Sequence, residues 1–193
     1  MSKSATKAPI DPERRKRIVD AYNDAIAHGK THNEAVAYKR YDLAVKAATK
    51  LNKKLIVFGN GPAHDQLVKL AGPTVEFRTD RFGDASDAEY EKAITTARGF
   101  IYPAEEDFGI VSVEALAAGA PIIGLARSST TDIVTSPDIG TLFQHQTVDD
   151  IVKAIKITEQ TRFYPSKLAR TAKRFDKGLF LTKIRKVVRD NTP

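Results

Sequence analysis

The acidic residues that best fit ligand chemistry lie in the segment Pro103–Glu114, which joins an apolar strand to a short predicted helix. Glu106 precedes that helix, and Glu114 lies inside it. A helix N-terminus presents unpaired backbone N–H groups and the positive end of the helix dipole, so it attracts phosphate. A carboxylate accepts hydrogen bonds from paired sugar hydroxyls. The segment therefore predicts a site for a phosphorylated sugar, with a capped structural helix as the alternative explanation.

Two further loops follow predicted strands and extend this candidate site. Gly59 and Gly61 lie in the first loop, where glycine permits positive φ and close approach of a ligand to the backbone. Arg127 lies in the other loop, after the fourth strand, and its guanidinium can pair with a phosphate. An ordinary tight turn would explain the glycines, and a solvated turn would explain the arginine. Because ligands bind beyond the carboxyl ends of strands in open α/β sheets, we expect all three loops at one edge.

The elements that position these loops alternate between strand and helix. Short apolar strands are predicted at residues 55–58, 74–77, 99–102, 121–125 and 140–143. Helices are predicted between the strands and at the end of the chain, where one pattern runs without a break from Pro165 to Val188. Such alternation is typical of a parallel sheet that helices cover on both faces. We therefore predict an α/β fold with a single Rossmann-like, doubly wound, mostly parallel sheet.

Composition excludes several classes of protein. The 193 residues contain no cysteine, which removes disulfides and thiolate metal sites and fits a reducing compartment. No apolar run approaches the roughly 18 to 20 residues of a membrane-spanning helix, so we expect a cytoplasmic protein. Lysine and arginine total 31 against 24 acidic residues, which gives a net charge of +7. This excess favours anionic partners, namely nucleotides, nucleic acid or an acidic membrane surface.

The first 37 residues differ in pattern from the rest of the chain. A polar, basic tail precedes two predicted helices, so we expect residues 1–37 to form an N-terminal tail and helical extension. Residues 38–193 would then form the α/β domain. The basic cluster Arg14–Arg17 raises the alternative of a nucleic-acid contact through these helices. No aromatic residue interleaves with that cluster, and a basic helix end is usually a solvated face, so the ligand site is the preferred hypothesis.

Several ordered motifs resemble one family of enzymes. The motifs are Tyr38–Ala44, Leu55–Pro62, Val75–Phe77, Phe100–Glu114, Gly119–Ile123 and Gly140–Phe143. Together they resemble the C-terminal half of a retaining glycosyltransferase of the GT-B fold, family four, a group that includes mannosyltransferases. The resemblance extends over residues 38–188. Several motifs in the same order form a more specific signal than any one of them alone.

The resemblance implies a role for each candidate residue. The implied donor-binding residues are Lys39, Gly59, Gly61, Glu106, Phe108, Gly109, Ile110, Glu114 and Arg127. Glu106, the implied catalytic residue, would contact hydroxyls of the donor sugar, and Glu114 would contact the ribose. The backbone amides of Phe108–Ile110 would cradle the sugar and diphosphate, while Lys39 would pair with the phosphates. In that family this half binds a nucleotide sugar without a metal, so neither a metal nor another cofactor is expected.

The form of the acidic motif also bears on the donor. The sequence of Glu105–Ile110 resembles that of the mannosyltransferase-like members of the family. This resemblance implies GDP-mannose as the donor, with a UDP-sugar as the other candidate. The chain departs from the family in two segments. Residues 30–37 read as helix where the family has a strand that ends in a Gly-Arg pair, and Ser128-Ser129 replaces a Gly-Gly pair.

The acceptor side of the site has no counterpart in this resemblance. The half of the family that binds the acceptor and closes over the donor is missing from the matched motifs. Because transfer needs both walls of the cleft, a glycosyltransferase of this kind would take its acceptor wall from a partner chain or an oligomer. The alternative is a catalytically inactive module that binds a nucleotide sugar or sugar phosphate.

Overall fold

The computed structural model describes residues 39–59, 61–78, 86–127 and 129–191. The strands in these residues are β1 (Leu55–Val57), β2 (Val75–Phe77), β3 (Phe100–Tyr102), β4 (Ile122–Leu125) and β5 (Gly140–Phe143). The α-helices are α1 (Tyr41–Leu51), α2 (His64–Leu70), α3 (Asp87–Thr96), α4 (Ile110–Ala117), α5 (Ser129–Ile133), α6 (Val148–Gln160), α7 (Pro165–Ala172) and α8 (Lys177–Asn191). Strand and helix alternate as the sequence predicts.

The strands form two parallel sheets. β1 pairs with β2, and β4 pairs with β3 on one side and β5 on the other. The α/β class and the parallel direction of the strands are confirmed, and the described strands lie in one two-stranded and one three-stranded sheet. A strand joins a sheet only through backbone hydrogen bonds to a neighbour, and within the described residues β1 and β3 do not pair with each other. Residues 30–37, where the sequence departs from the family's strand, lie outside the described residues.

Helices cover both faces of the three-stranded sheet. Ile122 and Ile123 of β4 are consecutive, so their side chains point to opposite faces. Ile122 packs in one apolar cluster with Leu116 of α4 and Leu168 of α7. Ile123 packs in another cluster with Leu43 of α1 and residues of α6. This arrangement confirms the doubly wound pattern for the three-stranded sheet, and every residue of β4 is buried between the two layers.

The two-stranded sheet is less completely covered. Each residue of β1 and β2 is only partly buried. The backbone N–H of Gly72, just before β2, donates to Thr49 Oγ1 of α1 at 2.8 Å. Phe58, just after β1, meets Tyr90 of α3 edge-on, with ring centroids 5.4 Å apart. Helices α1 and α3 therefore connect this sheet to the rest of the domain.

Helix starts follow from short local patterns. Ser86 caps α3: its hydroxyl accepts from the Glu89 N–H at 3.3 Å, and the Glu89 carboxylate accepts from the Ser86 N–H at 3.2 Å. Thr147 caps α6 in the same way, because its hydroxyl accepts from the Asp150 N–H at 3.2 Å. Such caps satisfy backbone donors that the helix itself leaves unpaired, so these starts could be predicted from sequence.

The last helical segment differs from the expectation. Residues 165–188 do not form one helix, because a 3₁₀ turn (Lys173–Phe175) and an extended Asp176 separate α7 from α8. The Asp176 carboxylate accepts from the Gly178 N–H at 2.7 Å and so restarts the helix. No residue of α8 is buried. Its exposed large apolar side chains are Leu179, Phe180, Ile184, Val187 and Val188.

The N-terminal expectations fall outside the described residues. The predicted tail and helices of residues 1–37 and the basic cluster Arg14–Arg17 all lie there, so the domain boundary at residue 37 remains a prediction. Among the helices that the structure does describe, none combines the length and the apolar character that crossing a membrane requires.

Candidate functional site

The loop between β3 and α4 is held in place by three contacts from other elements. The Ser129 N–H, at the start of α5, donates to the Glu106 carbonyl at 3.2 Å. The Tyr102 hydroxyl, at the end of β3, donates to Glu106 Oε2. Gln146 Nε2, just before α6, donates to the Pro103 carbonyl at 2.8 Å. These contacts fix the Glu106 carboxylate at the carboxyl-terminal edge of the three-stranded sheet.

The N-terminus of α4 follows directly after this loop. Gly109 is the residue before the helix and has φ +65°. A Cβ at Gly109 would lie 2.7 Å from Ser129 Oγ, so both the backbone conformation and the available space require glycine. Phe108 and Ile110, on either side, are 62% and 39% exposed. The predicted amide cradle of Phe108, Gly109 and Ile110 therefore lies at one open helix start, whose first N–H groups lack intrahelical partners and attract anions.

Glu114 lies in the second turn of α4 in different surroundings from Glu106. It is partly buried and lies close enough to Tyr90 of α3 for its charge to act on that phenol. Burial raises the pKa of Tyr90 to about 12, and the charge of Glu114 and the nearby Tyr41 add to the effect. The Tyr90 hydroxyl is buried and has no hydrogen-bond partner within the described residues. Glu106 thus belongs to the β3 and α5 side of the site, and Glu114 to the α3 side.

The two predicted cations lie in separate segments. Arg127 follows β4, and its Nη1 lies 3.8 Å from Glu105 Oε2, with both side chains more than half exposed. An exposed pair at this distance is weak, so the guanidinium can exchange Glu105 for another anion. Its loop is the one whose Ser129 N–H holds Glu106. Lys39 lies just before α1 and is partly buried, and its assignment to the phosphates rests on the resemblance.

The glycines of the first loop have open surroundings. Gly59 has φ +137°, a backbone conformation that residues with a side chain rarely adopt. No heavy atom lies within 4 Å of the position that an added Cβ would take at Gly59 or at Gly61. The loop follows β1 in the two-stranded sheet. The adjacent Phe58 contacts Tyr90, so this loop is linked to the Glu114 side of the site.

A family model described as glycosyl transferases group 1 matches residues 31–175. The chain belongs to this family. The matched range contains the three loops described above, both glutamates and all the predicted donor-binding residues. A search of curated proteins found no match.

Solved glycosyltransferase structures share the fold of this group 1 domain. A glycosyltransferase from Rickettsia africae has a TM-score of 0.64 at 14% identity, over 95% of this chain and 54% of that protein. The pneumococcal O-GlcNAc transferase GtfA, in complex with UDP and GlcNAc, has a TM-score of 0.62 at 18% identity, over 80% of this chain and 33% of that protein. AviGT4, a glycosyltransferase involved in avilamycin A biosynthesis, has a TM-score of 0.56 at 19% identity, over 78% of this chain and 46% of that protein. The fold is that of a GT-B glycosyltransferase domain.

The share of each neighbour that is matched shows how much of such an enzyme this chain represents. The chain spans about half the length of the Rickettsia protein and of AviGT4, and a third of GtfA. The group 1 domain therefore corresponds to one part of these larger proteins.

Sequence reasoning missed three residues that shape the site of this group 1 domain. Tyr102, Ser129 and Gln146 each hold the loop of Glu106, and sequence reasoning assigned that role to none of them. Tyr102 carried a usable signal, because a tyrosine at the end of a strand that becomes buried needs a partner for its hydroxyl. Gln146 carried none, since its contact with Pro103 crosses 43 positions of the chain.

Within the part of the chain that the structure describes, no three His, Asp or Glu side chains come together in a geometry that could hold a metal ion. A ligand at the candidate site could meet the guanidinium of Arg127, the carboxylates of Glu106 and Glu114, and the partial positive charge at the start of α4.

Proposed function

We propose that this chain is the donor-binding domain of a retaining, family four glycosyltransferase and that its donor is GDP-mannose. Membership of the group 1 family and the GT-B fold support glycosyl transfer in general. The observation that carries the proposal is the position of Glu106, fixed beside the open N-terminus of α4. That pairing offers an acceptor for sugar hydroxyls next to donors for phosphate.

Each group in the site would bind a different part of the donor. The diphosphate would lie at the start of α4, where the backbone amides and the helix dipole favour negative charge, with Arg127 and Lys39 as counter-charges. Glu106 would accept from hydroxyls of the sugar. Glu114, further along the helix, would accept from the ribose. This arrangement balances the charge of the diphosphate without a metal.

The sugar and the base follow from separate arguments. The motif Glu105–Ile110 favours mannose, as the resemblance implies. The structural neighbour GtfA was solved with UDP and GlcNAc, so a UDP-sugar is the second candidate donor.

A second protein surface would complete the acceptor wall. The chain covers 46% of AviGT4 and 54% of the Rickettsia glycosyltransferase. Helix α8 has no buried residue, and its apolar side chains, such as Phe180 and Val187, are 58% and 54% exposed. Contiguous exposed apolar groups mark interaction surfaces. We propose that a partner chain or a second copy covers α8 and supplies the acceptor wall.

A catalytically inactive donor-binding module is the second candidate. The departure at residues 30–37 favours it, because in the family that this chain resembles the arginine of the Gly-Arg pair there helps to bind the diphosphate. Such a module would bind the nucleotide sugar at the same residues and transfer nothing.

Calorimetry tests donor binding directly. We expect the wild type to bind GDP-mannose or a UDP-sugar, and Glu114→Ala to weaken that binding about tenfold, since a hydrogen bond to a charged group contributes about 1.5 kcal/mol or more. Glu91→Ala, which removes an exposed carboxylate from α3, is the matched control and should bind like the wild type. A wild-type protein that binds neither nucleotide nor nucleotide sugar would contradict both candidates. Transfer or hydrolysis of the bound donor, followed by mass spectrometry, separates the enzyme from the inactive module.

A further inference from the structure

Tyr102 occupies a position from which it can orient Glu106. It is the last residue of β3 and is 3% exposed. Its ring lies nearly parallel to that of Phe100, with centroids 6.2 Å apart and an interplanar angle of 24°. Burial and this contact restrict the ring, so the direction of the hydroxyl is set by the strand.

The hydroxyl of Tyr102 engages one oxygen of the Glu106 carboxylate. It donates to Oε2, which leaves Oε1, within the described part of the chain, to accept from a ligand. The Ser129 N–H holds the carbonyl of the same residue at 3.2 Å. Glu106 is therefore fixed at both its backbone and its side chain. A carboxylate held in this way loses less rotational freedom when a ligand binds.

We propose that Tyr102 is a positioning residue, which aims the Glu106 carboxylate at the donor sugar and so sets how strongly the domain prefers a nucleotide sugar to the bare nucleotide. This inference rests on the proposed function. Tyr102 itself would not touch the ligand. We expect its effect mainly on the sugar part of the donor, because Tyr102 contacts the Glu106 side chain, whereas the proposed phosphate-binding amides of Phe108–Ile110 lie at the start of helix α4.

Tyr102→Phe tests this role because it removes only the hydroxyl. The dissociation constants of GDP-mannose and GDP, and in parallel those of UDP-N-acetylglucosamine and UDP, would be measured for the wild type and the variant. We expect Tyr102→Phe to reduce the preference for the sugar nucleotide about tenfold, as for the loss of a hydrogen bond to a charged group, and to change the affinity for the bare nucleotide less than about twofold. Glu106→Gln should lower the same preference.

A double variant and a control make the result specific. If Tyr102 acts through Glu106, Tyr102→Phe combined with Glu106→Gln should lose little more than Glu106→Gln alone. Tyr164→Phe also removes one phenolic hydroxyl, but Tyr164 is 51% exposed beside Arg162, and its loss should leave all four constants unchanged. Thermal unfolding of each variant would confirm that the fold is kept.

The possible failures point to different conclusions. Equal losses of affinity for GDP and GDP-mannose in Tyr102→Phe would show a structural role and would overturn the positioning role alone. A double variant whose loss of preference equals the sum of the two single losses would also overturn the positioning role. A wild-type protein without affinity for any of the four nucleotides would overturn the proposed function, and the positioning role with it.

Discussion

The two sheets of this molecule differ in how completely the rest of the chain surrounds them. Every residue of β4, in the three-stranded sheet, is buried, whereas every residue of β1 and β2 is partly exposed. β4 has a paired strand on each edge and an apolar cluster on each face. β1 has one paired strand within the described residues.

This difference extends to the loops that follow the strands. The loop after β3 is tied to other elements by Tyr102, Ser129 and Gln146. The loop after β1 has open space around Gly59 and Gly61. A sheet with a buried central strand supplies anchor points for a loop, and the contacts of Tyr102 and Ser129 give Glu106 a defined position. The donor-sugar end of the proposed site therefore depends on the three-stranded sheet.

Equivalent substitutions in the two sheets should have unequal effects on stability. Ile122→Ala in β4 removes a side chain with no exposed surface, and we expect the free energy of unfolding to fall by about 3 to 4 kcal/mol. Ile56→Ala in β1 removes a partly exposed side chain, and about 1 kcal/mol is expected. Urea denaturation of both variants measures the two values. Equal losses would show that the two-stranded sheet is as well packed as its neighbour.

Alanine substitutions of glycine test the same difference between the two sheets at their loops. Gly109→Ala forces a Cβ to 2.7 Å from Ser129 Oγ at φ +65°, and we expect a loss of about 1 to 3 kcal/mol of stability together with weaker nucleotide binding. Gly61→Ala meets no atom within 4 Å and is the matched control for stability. Denaturation would be run on both variants, and calorimetry would compare Gly109→Ala with the wild type. The predicted contrast fails if Gly109→Ala binds and unfolds like the wild type.

Stability should also depend on pH at the junction of the two sheets. Tyr90 lies there, and its pKa is raised from 10.0 to about 12 by burial, with Glu114 and Tyr41 adding to the shift. The unfolded chain therefore releases this proton at lower pH than the folded protein. The stability that Tyr90 contributes is complete below pH 10 and is lost as the pH rises to about 12.

Tyr90→Phe isolates this contribution from the other groups that titrate at high pH. The free energy of unfolding of the wild type should fall more steeply between pH 10 and 12 than that of Tyr90→Phe, while the two curves run parallel below pH 10. Parallel curves across the whole range would show that the phenol titrates in the folded protein as it does in the unfolded chain.

Much of the fold could be predicted because its signals are local. Ser86 and Glu89 lie three residues apart and form the capping box of α3 that their spacing indicates. The short apolar runs became strands, and His64–Leu70 became the helix expected there. The break near Asp176 was missed, because a continuous helical period hid a capping aspartate just before Gly178.

The pairing of the described strands could not be predicted from these signals. Strand pairing depends on which edges meet in space, and the sequence of β1 or β3 alone does not say whether a neighbour lies beside it.

For the candidate site, the sequence by itself determined the chemical groups and their order along the chain. Glu106, Gly109 and Glu114 define a carboxylate, a helix start and a second carboxylate within one segment, and no folding is needed to see their spacing. The tertiary structure decided what holds them. Tyr102 and Ser129 reach Glu106 from the end of β3 and the start of α5, because the parallel sheet brings those ends to one edge. Only packing fixes the direction of a side chain, since rotation about its own bonds leaves it free in the unfolded chain.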